Sequence, residues 1–130
     1  MGRKVINARG AAAIGPYSHA VEANGLLILS GQTPIDPVTG RLMNGTIAQQ
    51  TDQCFENLSA VLDAAGLTLD DVVSVQVYLT NMADFQEMNA AYERHFTPPY
   101  PARTTIGCAS LPLNACVEIG CIAQTRRPTD

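Results

Sequence analysis

Apolar residues recur along this chain with two distinct periods. From Val72 to Thr80 they alternate, with Val73, Val75, Val77 and Leu79 on one side and Ser74, Gln76, Tyr78 and Thr80 on the other, which predicts a half-buried strand. From Ile47 to Ala65 the spacing is helical: Ile47, Thr51, Cys54, Phe55, Leu58, Val61, Leu62 and Ala65 fall on one stripe. Thr46 with Gln49 reads as a capping box ahead of that helix, and Gly66 takes the C′ position behind it. A second helical stripe, Phe85, Met88, Tyr92 and Phe96, is capped by Asp84 with Glu87 and stopped by Pro98-Pro99.

Further strands flank these elements. Ser18 to Glu22 and Leu26 to Gly31 are joined through Ala23-Asn24-Gly25, whose Asn-Gly pair supplies the positive φ angles of a tight hairpin. Gln32 to Gly45 carries Pro34, Asp36-Pro37, Gly40 and Asn44-Gly45, a density of turn residues that predicts an exposed loop without regular structure. Arg103 to Ala109 and Ala115 to Gln124 are two more strands, joined by the short Ser110 to Asn114 turn.

The order ββ, helix, strand, helix, ββ predicts an α+β fold, a mixed sheet of about four to six strands with two helices on one face. Without a repeat or a linker, residues 1–130 read as a single domain. The other sheet face keeps apolar side chains in either register, Leu26 and Ile28 or Leu27 and Leu29, and Val117, Ile119, Cys121 and Ala123 form another apolar row. Such a face is best buried against copies of the same chain.

Composition narrows the function. With 46% apolar and 15% charged residues the chain can fill a core, and a net charge of -4 has the wrong sign for a protein that binds phosphates. The longest apolar run, Leu26 to Leu29, falls far short of the ~20 residues of a membrane span, and the N-terminus lacks an apolar signal core. The chain therefore reads as soluble and cytosolic. Cys54, Cys108, Cys116 and Cys121 form no C-x-x-C pair and stand at no ligand spacing from His19 or His95, so free, buried thiols are expected and a metal site is not.

Candidate chemistry is confined to a few residues. Arg103 opens the run PARTTIG and shares strand parity with Thr105 and Gly107, placing a guanidinium fork beside a hydroxyl and a gap. It either binds a carboxylate or pairs with a surface acid at a strand start. Glu118 is the one carboxylate of ACVEIGCIA and lies opposite in parity to Val117, Ile119, Cys121 and Ala123, so it faces either solvent or a site where its pKa would be raised. Tyr17 follows the rigid Gly15-Pro16 pair, and Ser30 precedes Gly31 at a strand end. His19 has neither an acid nor a nucleophile in a recognisable arrangement and reads as surface or packing. Hydrolase triads, phosphate loops and dinucleotide fingerprints have no support.

The segments AIGPYSHA, LSGQTP, NAAYERHF and PARTTIGCASLPLNACVEI resemble those of the reactive intermediate deaminase (Rid) family, also called YjgF-type or L-PSP proteins, over about residues 12–123. The resemblance implies a chorismate-mutase-like α+β fold assembled as a homotrimer, with ligand sites in the clefts between subunits. It implies that Arg103 binds the carboxylate of an enamine or imine acid such as 2-aminoacrylate, released by pyridoxal-phosphate enzymes and hydrolysed to a 2-keto acid and ammonia. It also implies that Glu118 orients or activates the water, that Tyr17 closes the pocket, that Ser30 and Gly31 line it, and that the backbone around Thr105 helps hold the water, with no metal or cofactor. Two departures from the family pattern stand out: Thr105 where many members have cysteine, and Gly120 where a second acid often stands. RNA cleavage or translation inhibition, attached to some relatives, is disfavoured by the acidic balance and by a basic cluster limited to Arg126-Arg127. A non-catalytic keto-acid-binding or chaperone-like trimer is the remaining alternative.

Overall fold

Asn24 and Gly25 adopt left-handed φ values of 52° and 78°, the backbone a two-residue hairpin turn requires. They join β2 (Ala20–Ala23) to β3 (Leu26–Gln32), with Ala23 opposite Leu26. In the computed structural model, residues 2–8 and 15–125 are described. Ala13 and Ile14 of the AIGPYSHA segment and the Arg126-Arg127 pair lie outside them.

The hairpin belongs to a six-stranded sheet completed by β1 (Lys4–Ile6), β6 (Val72–Leu79), β7 (Ala102–Gly107) and β8 (Val117–Gln124), in the order β1-β2-β3-β8-β6-β7. Only β6 and β7 run parallel, and the return between them passes through α2 (Phe85–Glu93). Helices α1 (Ile47–Ala64) and α2 cover one face, as the periodicity predicts. Leu27, Leu29, Val75, Val77, Leu79, Val117, Ile119, Cys121 and Ala123 of the sheet form one core with Phe55, Leu58, Val61 and Leu62 of α1 and Met88 and Tyr92 of α2. The capping box of Thr46 and Gln49 is formed, and Gly66 takes a φ of 76° behind the helix. A cap contributes about 1 kcal/mol, whereas each large buried side chain contributes about 1.5–3 kcal/mol, so packing rather than capping holds α1 in place.

The structure departs from the sequence pattern in several places. Strand β1 escaped it, because three residues are too few to show a period. A bulge between Val72 and Ser74 buries Val72 and leaves Val73 exposed, which takes Val73 off the row with Val75, Val77 and Leu79. The Val117 to Ala123 row packs under the helices, not on the open face. Asp84 makes no side-chain cap; Glu87 instead accepts the Ala48 amide at 3.0 Å, tying α2 to the start of α1. Strands β7 and β8 are not paired with each other, because β6 lies between them. The 32–45 stretch is only partly an exposed loop: β4 (Ile35–Asp36) and β5 (Arg41–Leu42) form a small ribbon, and Thr33, Pro34 and Ile35 are buried.

The face opposite the helices carries Leu26, Ile28, Ile106 and Ile122 among Ser74, Gln76, Tyr78, Thr104 and Glu118. Ile28 and Ile106 are 47% and 46% exposed there. Cys54 and Cys121 are buried free thiols, pushed up in pKa by burial, Cys121 to about 12, so both are neutral and unreactive at neutral pH. Cys108 and Cys116 are free but only half-buried, against the expectation that all four are buried. His19 is a packing residue, its Nδ1 accepting the Ala8 amide at 3.0 Å. Among the described residues no helix is long and apolar enough to cross a membrane, and no group of three His, Cys, Asp or Glu side chains is placed to hold a metal ion.

Candidate functional site

Strand alternation decides where Glu118 points. Its β8 neighbours Val117 and Ile119 are fully buried under the helices, so Glu118 projects from the opposite face, in register with Tyr78. There it lines a cleft of about 330 Å³ with Tyr17, Ser30, Gly31, Thr33 and Leu113. Its carboxylate lies directly over Gly31: a Cβ built on that glycine would stand 2.5 Å from Oε2 and 3.2 Å from Cγ. Gly120, two residues on, brings its own backbone against Gly31, with an ideal Cβ at 3.5 Å from the Gly31 Cα. The missing second acid thus stands where two backbones cross closely. Burial raises the Glu118 pKa above the ordinary carboxylate range.

Gly31→Ala is therefore expected to leave the fold intact, since the flexible carboxylate can give way, and to displace Glu118 from its resting place. A crystal structure of the variant showing the carboxylate unmoved would contradict this.

The rest of the cleft is held from behind. Ser30 donates its hydroxyl hydrogen to the Ser18 carbonyl at 2.6 Å, so it fixes the wall and can offer a ligand only its lone pairs. Tyr17, 44% exposed, projects beyond a turn in which its amide bonds to the Gly15 carbonyl at 3.0 Å. Thr33 and Ile35 are pinned by Asn57, whose side-chain amide donates to both of their carbonyls, at 3.2 and 2.9 Å, and accepts from Gln53. Asn57 is buried on α1, and removing it leaves the Ile35 carbonyl without this donor, while that of Thr33 keeps the Ile35 amide at 2.8 Å. Asn57→Ala is expected to cost about 2 kcal/mol, an orphaned buried group carrying about 1–3. That corresponds to a fall of roughly 8 °C in melting temperature, and calorimetry finding a change under about 2 °C would refute the clamp.

Arg103 is on the other side of the sheet. It pairs in register with Val75, whose side chain lies under the helices, and it lines a second cleft of about 310 Å³ with Asn89, Tyr92, Glu93 and Tyr100. Asn89 Oδ1 accepts from Nη1 at 2.7 Å, and the guanidinium carbon sits 4.6 Å from the Tyr92 ring centre and 5.6 Å from that of Phe85. This is a stacked, half-buried cation rather than an arginine paired with a surface acid. Burial raises the Tyr92 phenol even though Arg103 pulls it down, so the phenol stays neutral. Thr105 shares the Arg103 face as the parity predicts, and its buried hydroxyl has no hydrogen-bond partner among the described residues.

One chain therefore brings Tyr17, Ser30, Gly31 and Glu118 together and Arg103 and Thr105 together, but sets the two groups on opposite faces of the sheet. Sequence reasoning missed Asn57 and Asn89. The available signal was a polar residue on each apolar helix stripe, Asn57 between Cys54 and Val61, and Asn89 between Phe85 and Tyr92.

The family model described as "Endoribonuclease L-PSP" matches residues 8–125. A "RutC family protein" of Pyrococcus horikoshii is 46% identical over 110 residues, which cover 85% of this chain and 87% of that protein. "Reactive Intermediate Deaminase A, chloroplastic" of Arabidopsis thaliana is 43% identical over 112 residues, 86% of this chain and 60% of that one. Among solved structures, RidA from an Antarctic Psychrobacter superposes with a TM-score of 0.88 at 39% identity, over 94% of this chain and 99% of that one.

Proposed function

The chain belongs to the L-PSP/Rid family, and we propose that within it this protein is a cytoplasmic enamine/imine deaminase, hydrolysing imine acids such as 2-iminopropanoate and 2-iminobutanoate, released by pyridoxal-phosphate enzymes, to 2-keto acids and ammonia. The observation that carries this reading is Glu118, a carboxylate with raised proton affinity over Gly31 in a largely apolar cleft. Arg103 supplies the complementary charge, a stacked guanidinium lining its own cleft.

The two half-sites meet when copies of the chain associate. In a homotrimer, Arg103 and Thr105 of one copy face Tyr17, Ser30, Gly31 and Glu118 of the next. The exposed Leu26, Ile28 and Ile106 on the helix-free face support such an assembly.

The reaction needs little machinery. Arg103 takes the substrate carboxylate in a bidentate pair and fixes the C=N bond beside Glu118. Glu118 accepts a proton from water as the oxygen bonds to the imine carbon, and returns it to nitrogen. Glu118 then takes the hydroxyl proton of the carbinolamine and passes it to the amino nitrogen, and ammonia leaves as the C–N bond breaks and the carbonyl forms. Tyr17 walls the cleft against bulk water. An imine hydrolyses unaided, so placement and one acid/base group suffice, and no metal or cofactor is required by this chemistry. The test is the decay rate of an imine generated in situ from threonine by a dehydratase. Faster decay with added protein supports the reading, and unchanged decay with folded protein at comparable concentration sinks it.

A further inference from the structure

A leucine stands in this structure where the backbone does not favour one. Leu113 has φ 61° and ψ 18°, within the short turn Pro112–Asn114, and Asn114 follows at φ 60°. Asparagine tolerates that region; a leucine side chain there costs about 1–2 kcal/mol. The side chain recovers little by packing, since it is 49% exposed and outside the core. Strained residues cluster at functional sites, and this one lines the Glu118 cleft together with Pro112, Ile35 and Tyr17.

In a single copy, before Arg103 and Thr105 of the next copy face it, the cleft is also larger than the smallest imine acid needs. About 330 Å³ equals the liquid volume of roughly ten waters, whereas 2-iminopropanoate has six non-hydrogen atoms. Leu113, Pro112 and Ile35 in the cleft lining are apolar groups that offer nothing to a carboxylate and much to an alkyl chain.

We infer that Leu113 is a specificity-determining wall, which makes the cleft select imine and keto acids with an extended aliphatic side chain over three-carbon ones. The inference deepens the proposed function and rests on its site, with the acid's carboxylate on Arg103 and its side chain against Leu113. It does not require turnover, and the test reads binding.

The experiment titrates pyruvate and 4-methyl-2-oxopentanoate calorimetrically into the wild type, Leu113→Gly and Leu113→Asn, with oligomeric state checked by light scattering. Both replacements accept the left-handed backbone and remove the apolar wall, so melting temperatures should hold or rise. The wild type should bind the longer acid more tightly, and both variants should lose about fivefold for it while pyruvate affinity stays put. Equal losses for both acids, no loss for either, or no binding by the wild type overturns the inference. So does dissociation of the variants, which would assign Leu113 to packing between copies. If the wild type binds with this selectivity yet hydrolyses no imine, Leu113 keeps its role and the deaminase reading fails on its own.

Discussion

Arg103→Ala is expected to lower kcat/KM for imine hydrolysis by about 10²–10³-fold, since losing one partner of a desolvated charge pair costs about 2–5 kcal/mol. The effect should fall mainly on KM and on the affinity for 2-keto acids, because the proposed role of Arg103 is to hold the carboxylate and not the reacting carbon. Arg103→Lys should recover only part of the loss. An ammonium keeps the charge but has no planar fork to bond Asn89 Oδ1 while stacked on the Tyr92 ring. Full activity in the lysine variant would reduce the clamp to a point charge, and wild-type kinetics in the alanine variant would remove Arg103 from the site altogether.

Glu118→Gln should act on the other parameter. Removing a general base lowers kcat by about 10²–10⁴-fold, while keto-acid affinity changes by less than about twofold, because the amide keeps the shape of the side chain over Gly31. If Glu118 instead merely lines a binding site, turnover survives the substitution. The pH profile gives a second reading. In the proposed mechanism the ionised form is the base, so wild-type turnover should rise with pH through a value above the ordinary carboxylate range, and the residual activity of the variant should lose that limb. Stability moves in the opposite direction. A carboxyl whose folded pKa is raised contributes stability below its unfolded value and loses it as pH rises through the folded one. At neutral pH the wild type carries that penalty and Glu118→Gln does not, so the variant should melt higher while working more slowly. A melting temperature that falls at neutral pH would show that the carboxylate is stabilised by partners in the fold rather than strained by burial.

The elements with long periods were legible from sequence. The α1 stripe, its capping box and the Asn24-Gly25 hairpin stand where the pattern placed them, because each depends on local spacing or backbone freedom. The parity of Arg103 with Thr105, and of Glu118 against Val117 and Ile119, was readable for the same reason. Features set by tertiary pairing were not. The bulge that exchanges Val72 for Val73 follows from the partner strand β8, and burial of Thr33 to Ile35 follows from Asn57 reaching across from α1. Alternation gives each residue a face but does not say which face the helices take. Hence the Val117 to Ala123 row fits either face, and the sequence does not show that Arg103, in register with Val75, and Glu118, in register with Tyr78, take opposite faces of β6.

That separation is what the account stands on, and mixed assemblies test it most directly. Arg103→Ala and Glu118→Gln chains carrying different affinity tags would be co-expressed, assemblies containing both tags isolated, and imine hydrolysis measured against the two parents and the wild type. If sites form between copies of a trimer, every mixed assembly rebuilds one site from the intact Glu118 of one chain and the intact Arg103 of the next, giving about one third of wild-type turnover. Turnover no higher than that of the parent variants, in assemblies verified to contain both chains, would contradict the shared site.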